Sequence, residues 1–235
     1  MKYNVTILRL FIIGLWFNAN SQIDYGSFEG EPVKTSIELN LKNVFFKEYS
    51  NERFKRFEEL IVKNDVQSTG SPIEVLHSMY SASNQDDYKS LFIGKPTKIS
   101  TKELEKRKLS DTLANKLRLI HRLTFDYDGS PIAFLKYKKF KDSLNYTSEL
   151  VTLRKQKDSE QWFLVSQTEF PGTEYAIKTL KGEGFWQFFN RHDEEKHPKI
   201  NKYKPQVQDS DGVLDIEKLG EFLMVNKGSL SEYID

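Results

Sequence analysis

The stretch that most constrains this chain covers residues 117–170, where four runs of strand character are separated by short polar turns. In the first run Leu117, Leu119, His121, Leu123, Phe125 and Tyr127 fall at every second position, which puts them on one face of a strand and predicts that this face is buried. Asp128-Gly129-Ser130-Pro131 supplies the first turn, because Gly takes positive φ without a clash and Pro cannot donate within a ladder. Residues 132–140 make the return strand, Lys141-Asp142-Ser143 turns the chain, residues 146–155 make a third strand and residues 157–160 a third turn. A fourth strand over 162–170, rich in aromatic and β-branched residues, is ended by Pro171-Gly172. Leu109, Leu113, Leu117 and Ile120 also fit a helical stripe, so a switch from helix to strand is expected near Leu117.

The chain begins with Lys2 and Arg9 around an apolar run through Phe17, too short to span a bilayer comfortably, followed by Ala19-Asn20-Ser21. This pattern predicts a signal peptide cleaved before Gln22 and an exported protein, periplasmic or secreted, with no stable membrane span after cleavage; a membrane anchor or a buried strand is the alternative. There is no cysteine, hence no lipidated cysteine after the leader and no disulfide framework, and the core is held by burial alone. Removing residues 1–21 takes away Lys2 and Arg9 and no acid, so 33 basic residues face 34 acidic ones. That balance argues against nucleic acid as a partner. Basic residues gather between Lys89 and Arg122, as a solvated face or as a docking patch for anionic lipid or an acidic partner.

Residues 22–32 read as a poorly ordered lead-in, and residues 35–46 as a strand alternating Ile37, Leu39 and Leu41. Asn51 is expected to cap a short helix carrying Phe54, Phe57 and Ile61 on one face. Ser71-Pro72-Ile73-Glu74 is a capping box with Pro at the first helical position, so a helix starts there, with Ile73, Leu76, His77 and Tyr80 along one side. It gives way near Asn84-Gln85-Asp86-Asp87; a short apolar segment over 88–92 and a charged helical stretch over 97–111 lead into the sheet.

A capped helix, short helical segments and an antiparallel meander over residues 71–170 resemble the nuclear transport factor 2-like, cystatin-like cone fold. The strand 149–154, a polar turn and the Trp162-containing strand 161–166 look like that family's recurring ending. The resemblance implies a helix packed across a curved sheet around a conical pocket, used by some relatives for isomerases and dehydratases and by many for binding. It carries no catalytic residue over, and the family's shape does not select among those uses.

Candidate pocket residues are those placed on apolar faces. His121 leads: among leucines its imidazole is neutral near pH 7 and could act as a base, or it is a hydrogen-bonded core residue. His77 and Tyr80, one turn apart on the capped helix, follow, with core packing as the plainer reading. Leu123, Tyr137, Glu149 and Trp162 complete the candidate ligand-binding set, Tyr137 and Glu149 depending on a register the sequence does not set.

No phosphate loop, Gly-x-Ser-x-Gly elbow, His-Glu-x-x-His or cysteine nucleophile is present, and no cofactor is expected. No metal is expected either. His192 and His197 are five residues apart and diverge around a helix, and residues 209–215 echo a calcium loop without its end ligands. Asp215 reads better as the cap of a helix over 216–225, with Ile216, Leu219, Phe222 and Leu223 inward. The aromatic group Phe185, Trp186, Phe188 and Phe189 is expected to pack across the open side of the sheet, with an exposed patch for lipid or a partner as the alternative. Asn145-Tyr146-Thr147 matches a glycosylation sequon, uninformative behind a leader of bacterial type.

The expected architecture is thus α+β: a curved antiparallel meander packed by a capped helix over 71–170, a strand-helix extension over 22–70 and a helical cap over 171–235. Three functions stay open: noncatalytic binding of an apolar or amphipathic small molecule or an envelope protein; an acid-base isomerase, lyase or hydrolase using His121; and a structural envelope protein without a pocket.

Overall fold

The computed structural model describes residues 31–37, 41–49, 59–61, 69–109, 116–140, 145–189 and 197–235. The expected leader over residues 1–21, Leu39, Asn51, Phe54, Phe57, Leu113, Asp142 and His192 lie outside them. The order is β1 (Glu31–Pro32), β2 (Lys42–Glu48), β3 (Glu59–Ile61), α1 (Pro72–Ser81), α2 (Gln85–Ser90), β4 (Phe92–Ile93) and α3 (Thr101–Leu109). There follow β5 (Lys116–Tyr127), β6 (Ser130–Phe140), β7 (Tyr146–Lys155), β8 (Trp162–Val165), α4 (Pro171–Thr179), α5 (Gly182–Phe189), α6 (Pro198–Tyr203) and α7 (Ile216–Asn226), with 3-10 turns at Lys204–Val207 and Lys227–Tyr233.

The fold is α+β. One sheet runs β1-β2-β5-β6-β7-β8-β4, antiparallel except where β4 joins β8, and β3 pairs with the first residues of β5 beyond the end of β2. The meander β5 to β8 follows the turn chemistry of the sequence; Asp128 and Gly129 both take positive φ in its first turn.

One irregularity reshapes the whole. Leu119 pairs with Tyr137 but His121 pairs with Lys136, so Ile120 is an extra residue in β5. Side chains of like parity therefore lie on opposite faces before and after it. Leu117 and Leu119 join Leu135, Tyr137, Leu153, Trp162 and Leu164 under α1, whereas Leu123 and Phe125 join Phe46, Ile132 and Phe134 under the C-terminal helices. The expectation of one buried face along β5 is corrected to two half-strands facing opposite ways, in a sheet covered by helices on both sides.

Ser71 caps α1, its Oγ accepting from Glu74 N–H at 3.2 Å, with Pro72 at the helix start. The helix buries Val75, Leu76, Met79 and Tyr80; Ile73 and His77, expected on the inner stripe, are half-buried at its margin. Asn84 starts a new helix, its Oδ1 accepting from the N–H groups of Asp86 and Asp87, each at 2.9 Å.

Three expectations shift further. The strand expected over 35–46 with Ile37, Leu39 and Leu41 alternating is shifted to β2 at Lys42–Glu48, with Val44 and Phe46 inward, and Ile61 belongs to β3 rather than to a helix. The fourth strand ends at Val165, and Pro171 opens α4 instead of closing a strand. The C-terminal reading holds: Asp215 Oδ1 accepts from Glu217 and Lys218 N–H at 3.0 and 3.2 Å, capping α7. Phe185, Trp186 and Phe189 of α5 cluster on Phe46 of β2 at centroid distances of 5.0, 5.0 and 5.5 Å. Among the described residues no helix is long and apolar enough to cross a membrane.

Candidate binding cleft

β8 pairs with β7 only from Thr152 onward, so the first half of β7 has no described neighbour on the side away from β6. A cleft of about 360 Å³ opens along this edge, between α1, α2, the 97–99 loop and α3 on one side and β7 and β8 on the other. Met79, Tyr88, Phe92, Ile99 and Leu164 give it apolar walls. Tyr88 and Phe92 hold each other with ring centroids 5.1 Å apart.

At the inner end Tyr80, Tyr137 and Glu149 meet. The register pairs Tyr137 with Glu149 directly, and α1 lays Tyr80 over both. Glu149 Oε2 accepts from Tyr80 at 2.8 Å and from Tyr137 at 3.1 Å, the two phenol oxygens are 2.9 Å apart, and Thr147 Oγ1 donates to Glu149 Oε1 at 3.2 Å. Two phenolic protons serve three short contacts, so they either converge on the carboxylate or run as a chain through one phenol to the other and on to Glu149. Burial, with Tyr80 and Glu149 beside it, pushes the Tyr137 phenol well above the usual tyrosine range. Tyr137 is therefore a fixed donor at physiological pH.

Among the described residues Glu103, Glu149 and Glu174 line the cleft against a single lysine, Lys98. Glu174 is itself held above the usual carboxylate range by burial, an effect Lys178 partly offsets. The described lining is amphipathic, with an excess of acid and no imidazole.

His121 is placed elsewhere. The bulge at Ile120 turns it to the opposite face, where it is 1% exposed and enclosed by Phe46 and Phe185 at centroid distances of 5.6 and 6.1 Å. Burial, and secondarily Lys136, lowers its pKa to about 3. Its Nδ1 has no hydrogen-bond partner among the described residues. A neutral imidazole is as expected, but it faces neither the tyrosines nor the cleft. Leu123 goes with it into the core under the C-terminal helices. Trp162 lies on the cleft side of the sheet as core, not as lining, and His77 does not line the cleft.

The structure thus brings together Tyr80, Tyr137 and Glu149 of the candidate set and separates His121 and Leu123 from them. Met79, Tyr88, Ile99, Glu103 and Glu174 were not nominated by the sequence. The i, i+4 spacing of Tyr88 and Phe92 was an available signal; for Glu103 and Glu174 only the tertiary fold supplies one. Among the described residues no group of three His, Cys, Asp or Glu side chains converges as a metal site would require. No family model matches the chain, and neither a curated protein nor a solved structure is significantly similar to it.

Proposed function

We propose that the protein is a noncatalytic binding protein whose cleft along the edge of β7 away from β6 takes a small amphipathic molecule with a cationic or donor-rich head. The observation that carries this reading is the Tyr80-Tyr137-Glu149 cluster at the inner end of a cleft with apolar walls. Its volume of about 360 Å³ is in the range of small-molecule sites. The apolar part of the ligand lies against Met79, Phe92, Ile99 and Leu164, and its head meets the excess of carboxylates. A cleft between a capped helix and a sheet is also where the resemblance to nuclear transport factor 2-like proteins would place a ligand.

Binding rather than catalysis is supported by the chemistry of the lining. The tyrosines spend their protons on one another and on Glu149, and the buried imidazole of His121 faces away.

The test is native against denaturing mass spectrometry of residues 22–235 purified from the producing organism, followed by titration with alkylamines and with alkyl sulfates of equal length. The expected result is a mass lost on denaturation, or binding of the amines and not the sulfates, abolished by Ile99→Trp, which fills the cleft from its half-buried rim. Bare protein together with indifference to both amphiphile series would overturn the reading.

A further inference from the structure

On the opposite side of the sheet a second cleft, of about 560 Å³, opens between β6, β7 and the ends of α4 and α7. Lys138, Lys178, Lys181 and Lys227 line it, with Tyr146 and Tyr175 as aromatic walls. Among the described residues Asp235 is its one acidic lining residue. That carboxylate is already engaged, because the bridge between Leu180 and Ile234 brings it to Lys136, a fully buried lysine that donates to it and to Leu180 O. Lys178 shares its charge with Glu174, one turn before it on α4, and the other three lining lysines face the cleft with little compensation. Lys181 Nζ donates to the neutral carbonyl of Glu232 at 3.1 Å, and Lys138 Nζ sits 4.1 Å from the Tyr146 ring centroid.

A helix C-terminus attracts cations, and this alone accounts for Lys178 in the last turn of α4 and Lys227 at the end of α7. It does not account for Lys138, which comes from β6. Nor does it account for Ser148, directly opposite Lys138 on β7, whose Oγ is buried with no hydrogen-bond partner among the described residues while the residue lines the cleft. Converging cations, an orphaned hydroxyl and two rings make a donor-rich set in which the described carboxylate, Asp235, is already held by Lys136.

We propose that this cleft is a second binding site, for a small organic anion of the phosphomonoester class whose apolar or aromatic portion packs against Tyr146 and Tyr175. The lysines act as point charges on the phosphate oxygens, and Ser148 donates its hydroxyl to one of them. The phosphate belongs either to a free metabolite or to a lipid headgroup.

The experiment titrates residues 22–235 with phenyl phosphate and with inorganic phosphate by calorimetry, and sediments the protein with vesicles of phosphatidylcholine with and without phosphatidic acid. Lys178→Gln/Lys227→Gln changes two exposed side chains and is expected to leave the unfolding transition in place, while Lys199→Gln, away from the cleft lining, serves as the charge control. Phenyl phosphate is expected to bind more tightly than inorganic phosphate, and the double variant to weaken binding about ten-fold, with added salt acting in the same direction. Loss of soluble binding in the double variant identifies a free anion; loss of sedimentation on phosphatidic acid alone identifies a headgroup. The proposal is overturned if neither probe nor vesicle binds, if the double variant binds like wild type, or if Lys199→Gln weakens binding equally.

Discussion

His121 shows how much one side chain's surroundings decide. Enclosed by Phe46 and Phe185 and beside Lys136, it stays neutral down to about pH 3, whereas in the unfolded chain it protonates at the ordinary value of 6.5. Below 6.5 the unfolded state therefore binds more protons than the folded state. The stability is fully present above that value and falls with pH until about pH 3, with a slope approaching about 1.4 kcal/mol per pH unit from this group. In urea unfolding across that window, His121→Leu is expected to flatten the acid side of the stability curve; an unchanged slope would show that other groups govern it. The neutrality of His121 was legible from the leucines around it, but its direction was not. Tyr80, Tyr137 and Glu149 were each legible as candidates, one on a capped helix and two on strands, yet only the register between β6 and β7 puts the carboxylate opposite Tyr137. That register depends on pairing over distance, which residue spacing does not encode.

At the scale of elements, Ile120 and the crossing of α4 with α7 set the geometry. Alternation from Leu117 to Tyr127 is unbroken in the sequence, so nothing in it marks an extra residue at Ile120 as unpaired. The bulge is imposed by the need to serve two cores, with Leu119 under α1 and Leu123 under α5. The helices that cap the second core meet at glycines. A Cβ on Gly220 would lie 1.6 Å from the Gly172 carbonyl oxygen, and Glu217 of α7 accepts at the start of α4 from Gly172 N–H at 2.6 Å and Thr173 N–H at 2.8 Å. In an exposed helix Gly→Ala stabilises by about 1 kcal/mol. Here Gly220→Ala is expected to destabilise by about 3 kcal/mol or more, because the helices must part and Glu217 must leave the α4 terminus. Thermal and urea denaturation measure it directly, and a variant as stable as wild type would mean that the crossing yields easily. The sequence showed α7 and its Asp215 cap clearly; that Pro171-Gly172 opens a helix was hidden because Pro serves equally to end a strand and to begin a helix.

For the whole molecule, a sheet with two differently partnered faces raises the question of whether the layers unfold together. Strands β5 and β6 contribute side chains to both: Leu119, Leu135 and Tyr137 to the α1 side, Leu123, Phe125 and Phe134 to the C-terminal side. Removing either layer would strip one face from strands whose backbone bonds hold the other, so the two cores are coupled through the ladder itself. The chain carries its own reporters. Of its three tryptophans Trp16 precedes residue 22, Trp162 is buried on the α1 side and Trp186 packs against Phe46 on the other, its Nε1 donating to Glu48 at 3.1 Å. In residues 22–235, Trp162→Phe leaves only the C-terminal layer fluorescent in tryptophan and Trp186→Phe only the α1 layer. In each variant the tryptophan transition in urea is expected to coincide with the far-ultraviolet circular dichroism transition, which follows both layers at once. A tryptophan midpoint clearly below the dichroism midpoint in one variant would instead show that layer opening first, and would place the cleft or its opposite face on a separately melting unit.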